Sequence, residues 1–79
     1  MQRRLSETKR FVVCVRNTGY PASLEVRKIY QAVADQAAES HGLVRIIDES
    51  GEDYLYPEKF FLPLDLPRSL ESALRRAAG

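Results

Sequence analysis

The sequence predicts a small, mainly β domain of about five short strands followed by a short C-terminal α-helix. Three observations carry that reading. The apolar runs at residues 11–15 (FVVCV), 43–47 (LVRII) and 54–56 (YLY) are short and rich in β-branched or aromatic residues. Turn residues stand between them, with Asn17, Gly19, Pro21, Gly42, Gly51 and Pro57 as punctuation. After Pro67 the apolar period lengthens from that of a strand to that of a helix. The chain accordingly divides into a basic arm over residues 1–8, a β domain over 9–65 and a helix over 66–79.

Taken in order, residues 11–15 are too short for a helix and read as a buried strand, with Val13 and Val15 expected in the core. Asn17-Thr18-Gly19-Tyr20-Pro21 is turn chemistry. Residues 24–33 (LEVRKIYQAV) place Val26, Tyr30 and Val33 on one helical face, yet the flanking turns favour a strand beginning near Lys28. The Ala-rich stretch 35–40 suits one helical turn or a loop, closed by Gly42.

The strands at 43–47 and 54–56 flank Asp48-Glu49-Ser50-Gly51-Glu52-Asp53, the clearest hairpin in the chain, with Gly51 expected at positive φ. Val44, Ile46 and Phe61 are further core candidates. Tyr54 and Tyr56 share one face of their strand and Leu55 takes the other; hydropathy alone would bury Leu55. Pro57 ends that strand, because it has no N–H for a ladder. Phe60-Phe61-Leu62 is a last short apolar segment. Beyond Pro67, Leu66, Leu70, Ala73, Leu74 and Ala77 fall on one helical face, which either docks on the sheet or recruits a partner. Helices this short are marginal alone, which favours docking.

Length, charge and cysteine count bound the function. Seventy-nine residues make one domain, of a size that buries about 60% of its unfolded surface. A chain that is 44% hydrophobic and 29% charged is folded, not disordered. Its net charge is +1, unevenly spread: residues 1–10 carry four basic groups against one acid, residues 67–79 three against one, and the body five against nine. Cys14 is the only cysteine, so there is no internal disulfide and no cysteine-based zinc site. The N-terminus lacks the apolar stretch of a signal peptide, and no run is long enough to span a membrane. These features suit a reducing cytoplasm.

The stretch 42–63, GLVRIIDESGEDYLYPEKFFLP, resembles the C-terminal half of SH3 domains. Gly51 stands at the hairpin, with Pro57, Phe60 and Pro63 at six, nine and twelve residues beyond it. Pro-Glu-Lys-Phe-Phe occupies the place of the family's Pro-Ser-Asn-Tyr-Val, where a 3₁₀ turn forms. Val13-Cys14-Val15 resembles the opening strand and residues 17–25 the long RT loop. The resemblance implies an SH3-like barrel over 9–65 and turns Tyr56 inward, against hydropathy. The chain is also similar to short bacterial proteins of unassigned function that carry a DESGEDYLYP-like segment, a likeness that implies no activity.

The departures from the SH3 pattern bear on ligand choice. The chain has no Trp; Leu43 stands in that place, and Val15 and Asn17 stand where groove tyrosines would be. Only Pro57 and Phe60 remain, with Tyr20 as a substitute from the loop, so PxxP recognition is not expected. Any ligand-binding groove is expected at Tyr20, Leu43, Pro57 and Phe60, the alternative for Phe60 being a core position. Glu49, Glu52 and Asp53 form a possible acidic contact patch for a basic segment, and no calcium-loop spacing is present.

Cys14 lies within an apolar strand and reads as a core residue. His41, the only histidine, reads as a turn residue with no companion for a metal site. No phosphate loop or nucleophile motif occurs. The expectation is therefore a monomeric, non-catalytic interaction module without cofactor or metal, whose partner is a protein or peptide and not a membrane. The alternative is a nucleic-acid- or ribosome-associated accessory protein binding through its basic termini. Acids outnumber bases beside the aromatics, which disfavours nucleic acid for the body.

Overall fold

In the computed structural model, residues 9–77 are described, and the arm expected over 1–8 lies outside them. Five strands form one antiparallel sheet: β1 (Lys9–Cys14), β2 (Ile29–Val33), β3 (Leu43–Ile47), β4 (Asp53–Pro57) and β5 (Phe61–Pro63). Their spatial order is β4-β3-β2-β1-β5. A one-turn helix α1 (Gln36–Glu39) joins β2 to β3, a 3₁₀ turn (Glu58–Phe60) joins β4 to β5, and α2 (Arg68–Ala77) follows. Five antiparallel strands plus a C-terminal helix fit an SH3-like fold coarsely. The barrel closure implied by the resemblance is corrected: the sheet is open, with β4 and β5 at its two edges. Closure requires edge strands long enough to pair with a stagger; β5 has three residues and ends in a proline.

Each connection has a local cause. Asp35 caps α1, its Oδ1 accepting from the Ala38 N–H at 3.0 Å, and Arg45 of β3 donates to its Oδ2 at 2.8 Å. Gly51 has φ 85° as expected, and its N–H bonds to the Asp48 carbonyl at 2.9 Å. Residues 25–28 form a turn in which the Lys28 N–H reaches the Glu25 carbonyl at 3.2 Å. Its third residue, Arg27, has φ 74°, the position of a type II turn that glycine normally fills.

The core lies on the inner face of the sheet: Val12, Cys14, Leu24, Tyr30, Ala32, Val44, Ile46, Tyr56, Phe60 and Phe61. Val44, Ile46 and Phe61 are buried as expected. Val13 and Val15 are not: Val13 is half-buried on the outer face and Val15 is exposed, while Val12 and Cys14 fill the core. In an uninterrupted apolar run the alternation carries no phase, and a shift of one residue exchanges the faces.

Tyr56 points inward and Leu55 is half-buried on the other face, as the resemblance implied and hydropathy did not. The phenol can be buried because its hydroxyl, at the end of the ring, reaches a carboxylate. Helix α2 crosses the outer face beside Phe11, with the Arg75 guanidinium 6.0 Å from that ring's centre. None of the helix residues is fully buried, and Leu70 stays exposed.

Candidate functional site

Two tyrosine–carboxylate bonds brace the β3–β4 turn, one within the hairpin and one from β2. Tyr56 Oη donates to Asp48 Oδ2 at 2.6 Å, and Tyr30 Oη donates to Glu49 Oε2 at 2.6 Å while accepting from the Glu25 N–H at 2.7 Å. Lys28 Nζ lies 2.6 Å from the same Glu49 oxygen. Burial and the adjacent Asp48 push the Tyr56 hydroxyl up to about 12, and burial with Glu49 raises Tyr30 as well. The bonds from Lys28 and Tyr30 hold the Glu49 carboxyl below its ordinary value. Burial works to raise Asp48, but the bonds from Ser50 and Tyr56 outweigh it and the carboxyl is lowered.

This network separates the acids that sequence spacing grouped together. Glu49 is occupied internally. Glu52 and Asp53 are exposed, Asp53 with only a loose approach of 3.7 Å to Arg45.

The four residues expected to line a groove fall in two pairs. Leu43 and Pro57 alternate with the buried Val44 and Tyr56 and so face outward, whereas Tyr20 and Phe60 pack on the core side. Leu43 and Pro57 are cross-strand partners, and the Glu58 N–H reaches the Gly42 carbonyl at 2.9 Å. The Tyr20 ring stands edge-on to Tyr56 at 4.9 Å and to Phe60 at 6.3 Å between centres. Phe60 is only 4% exposed, and the Arg16 guanidinium sits 5.7 Å above its ring. Phe60 therefore takes the core alternative, and Tyr20 packs into the space that a ridged groove would leave open.

Sequence reasoning missed the sheet edges. In an antiparallel pair, residues that bond to each other alternate with residues whose N–H and C=O point to the far side. Bonds from Asp48 N–H to the Glu52 carbonyl and from Glu58 N–H to the Gly42 carbonyl set that phase for β3–β4. With the register Arg45↔Leu55 and Ile47↔Asp53, the N–H groups of Asp53 and Leu55 face outward.

At β5 the outward positions are Phe61 and Pro63, because Val15 bonds to Phe60 and Leu64 to Phe11. The Phe61 N–H is taken by the Glu58 carbonyl, and Pro63 has none. The β5 edge thus presents no donor, while β4 presents two beside the exposed Tyr54 ring, which is 55% accessible. Pro63 was the sequence signal for a closed-off edge.

A cleft of about 450 Å³ lies on the outer face between α2 and the hairpin. Phe11, Ile29, Ile47 and Leu74 give it an apolar lining, and Lys28 and Glu49 stand at its rim, bonded to each other.

Cys14 is buried, its Sγ donating to the Arg16 carbonyl at 3.1 Å, and burial pushes the thiol up, away from the thiolate that a nucleophile needs. His41 is exposed in the turn after α1. Among the described residues no group of His, Cys, Asp and Glu is placed to hold a metal ion, and no helix is long and apolar enough to cross a membrane. No family model matches the chain, and no curated protein or solved structure is significantly similar to it.

Proposed function

We propose that this protein is a non-catalytic interaction module of SH3-like architecture that takes an extended peptide segment as an added strand along β4. The observation that supports it is the asymmetry of the two edges: β4 holds two outward donors, at Asp53 and Leu55, whereas β5 holds none. An incoming strand would satisfy those donors with its carbonyls, and main-chain bonds of this kind give affinity without demanding a particular sequence. Tyr54 offers an aromatic surface beside the edge, and Glu52 and Asp53 favour a basic side chain on the segment. The filled space around Phe60 and Tyr20 argues against a polyproline groove in the same domain.

The non-catalytic reading is supported by the inward-facing titratable groups: Tyr30 and Tyr56 are bonded to Glu49 and Asp48, and the Cys14 thiol is pushed away from its reactive form. A protein or peptide partner in a reducing cytoplasm is part of the same proposal.

The test is a random peptide library displayed on phage and selected against the folded protein, with clones mapped on its amide NMR resonances. Binding clones should perturb Asp53, Tyr54 and Leu55. Leu55→Pro removes an outward N–H without touching a bond to β3, and should weaken binding about tenfold, the worth of one hydrogen bond at the strong end of its range. Glu52→Lys should weaken basic clones while leaving the fold intact. A library that yields no clones mapping to β4, or β4-mapping clones that bind Leu55→Pro and Glu52→Lys undiminished, overturns the reading.

A further inference from the structure

Four of the six large hydrophobic side chains exposed among the described residues, Val15, Val26, Ile29 and Leu62, gather at one end of the sheet. Register makes Leu62 the neighbour of Val13, and Val13 the neighbour of Ile29, in one row across β5, β1 and β2. Val15 lies two residues beyond Val13. Val26 precedes Arg27, whose N–H reaches the Cys14 carbonyl at 2.7 Å. The row is continuous with the apolar lining of the outer-face cleft through Ile29.

Basic side chains outnumber acidic ones at this end, where Glu25 and Glu58 are the exposed acids. Arg16 and Arg27 follow Val15 and Val26 directly, Lys28 precedes Ile29, and Lys59 precedes the residue whose carbonyl receives the Val15 and Arg16 N–H groups. Lys28 is held by Glu49. Among the described residues Arg16, Arg27 and Lys59 have no carboxylate within ion-pair distance.

Arg27 adds a second, independent observation. It is the one residue other than glycine at positive φ among those described, in a turn position where glycine would be free of strain. A charged, exposed side chain kept at a strained position points to use of that side chain.

We propose that this end of the sheet is a docking surface for an acidic protein segment carrying aliphatic side chains, with Arg27 as its principal cationic contact. The aliphatic row receives the apolar residues of the segment, and the unpaired cations receive its carboxylates, with bonds that are shorter and stronger than neutral ones. The surface has aliphatic side chains at its centre and no exposed ring on which a nucleobase would stack, which favours protein over nucleic acid. It is separate from the β4 edge, which lies at the other side of the sheet order.

The experiment uses the displayed random peptide library on the full chain, sorting clones by their response to three variants. Arg27→Gly removes the cation and suits the backbone, so it remains folded. Leu62→Asp places a like charge in the aliphatic row at an exposed position, and melting temperatures report its folding. Leu55→Pro alters only the β4 edge. Clones enriched in Asp or Glu with Val, Ile or Leu should lose about tenfold in affinity on Arg27→Gly and Leu62→Asp and none on Leu55→Pro, with amide shifts at Val15, Arg27, Ile29 and Leu62. Three results overturn the proposal. One is an absence of acidic aliphatic clones, and another is such clones binding Arg27→Gly at full strength. The third is preferential binding, through the same residues, of phosphatidylserine-containing vesicles or a mixed-sequence oligonucleotide.

Discussion

Replacing Phe60 with alanine separates a packing residue from a ligand contact. Phe60 is 4% exposed, belongs to the single core cluster, and packs against Tyr20 at 6.3 Å between ring centres under the Arg16 guanidinium. Truncating a buried phenylalanine costs about 3–5 kcal/mol, made up of lost transfer energy and the cavity left behind. A domain of this size has a total stability of roughly 4–12 kcal/mol at the usual stability per residue. The substitution should therefore remove a large part of the stability and, at the low end, unfold the protein at 37 °C.

Relaxation of Tyr20 into the space would moderate the loss, because that ring is only half-buried and lies on a loop. Thermal and urea unfolding followed by circular dichroism measure it, and each kcal/mol corresponds to about 4–8 °C in melting temperature. A shift below about 4 °C would refute the packing argument. It would return Phe60 to the role of groove wall that sequence reasoning first gave it.

Arg27→Gly should stabilise the fold by up to about 1 kcal/mol, because the strain of a side chain at positive φ exceeds the extra chain entropy that glycine loses. Arg27→Val should destabilise by about 1 kcal/mol or more, and urea midpoints that move together in one direction would contradict the turn geometry. Stability should also depend on pH at both ends. The carboxyls of Asp35, Asp48 and Glu49 are lowered in the folded state, so their contribution is present above their ordinary values and is lost as pH falls through the folded ones, below about pH 4. The raised tyrosines act in the opposite sense. Tyr56, pushed up to about 12, contributes below its ordinary value of 10.0 and loses that contribution as pH rises from there towards 12. Urea midpoints at pH 3, 7 and 11 read both limbs; a Glu49→Gln variant that keeps the full acid limb would remove Glu49 from it.

The sequence by itself determined the parts whose causes are local. The hairpin at Gly51, the stops at Pro57 and Pro63, the one-turn helix before Gly42 and the helical period after Pro67 all follow from the backbone preferences of a few adjacent residues, and each lies where its residues demand. Core membership was legible where alternation was visible, as at Val44 and Ile46. It was lost in the uniform run 11–15, where any phase looks alike; only contact with Leu24, Tyr30 and Phe61 brings Val12 and Cys14 inward and sends Val13 outward.

The acidic cluster was legible as a composition. Tertiary pairing alone divided it, joining Asp48 and Glu49 to buried tyrosines from β4 and β2 and leaving Glu52 and Asp53 free to meet solvent or a partner. The edges belong to the same class. Which N–H groups point outward depends on the bonding phase between strands, and whether the sheet closes depends on how far β4 and β5 reach around it. Those quantities belong to pairs of segments distant in the chain, and no single segment contains them.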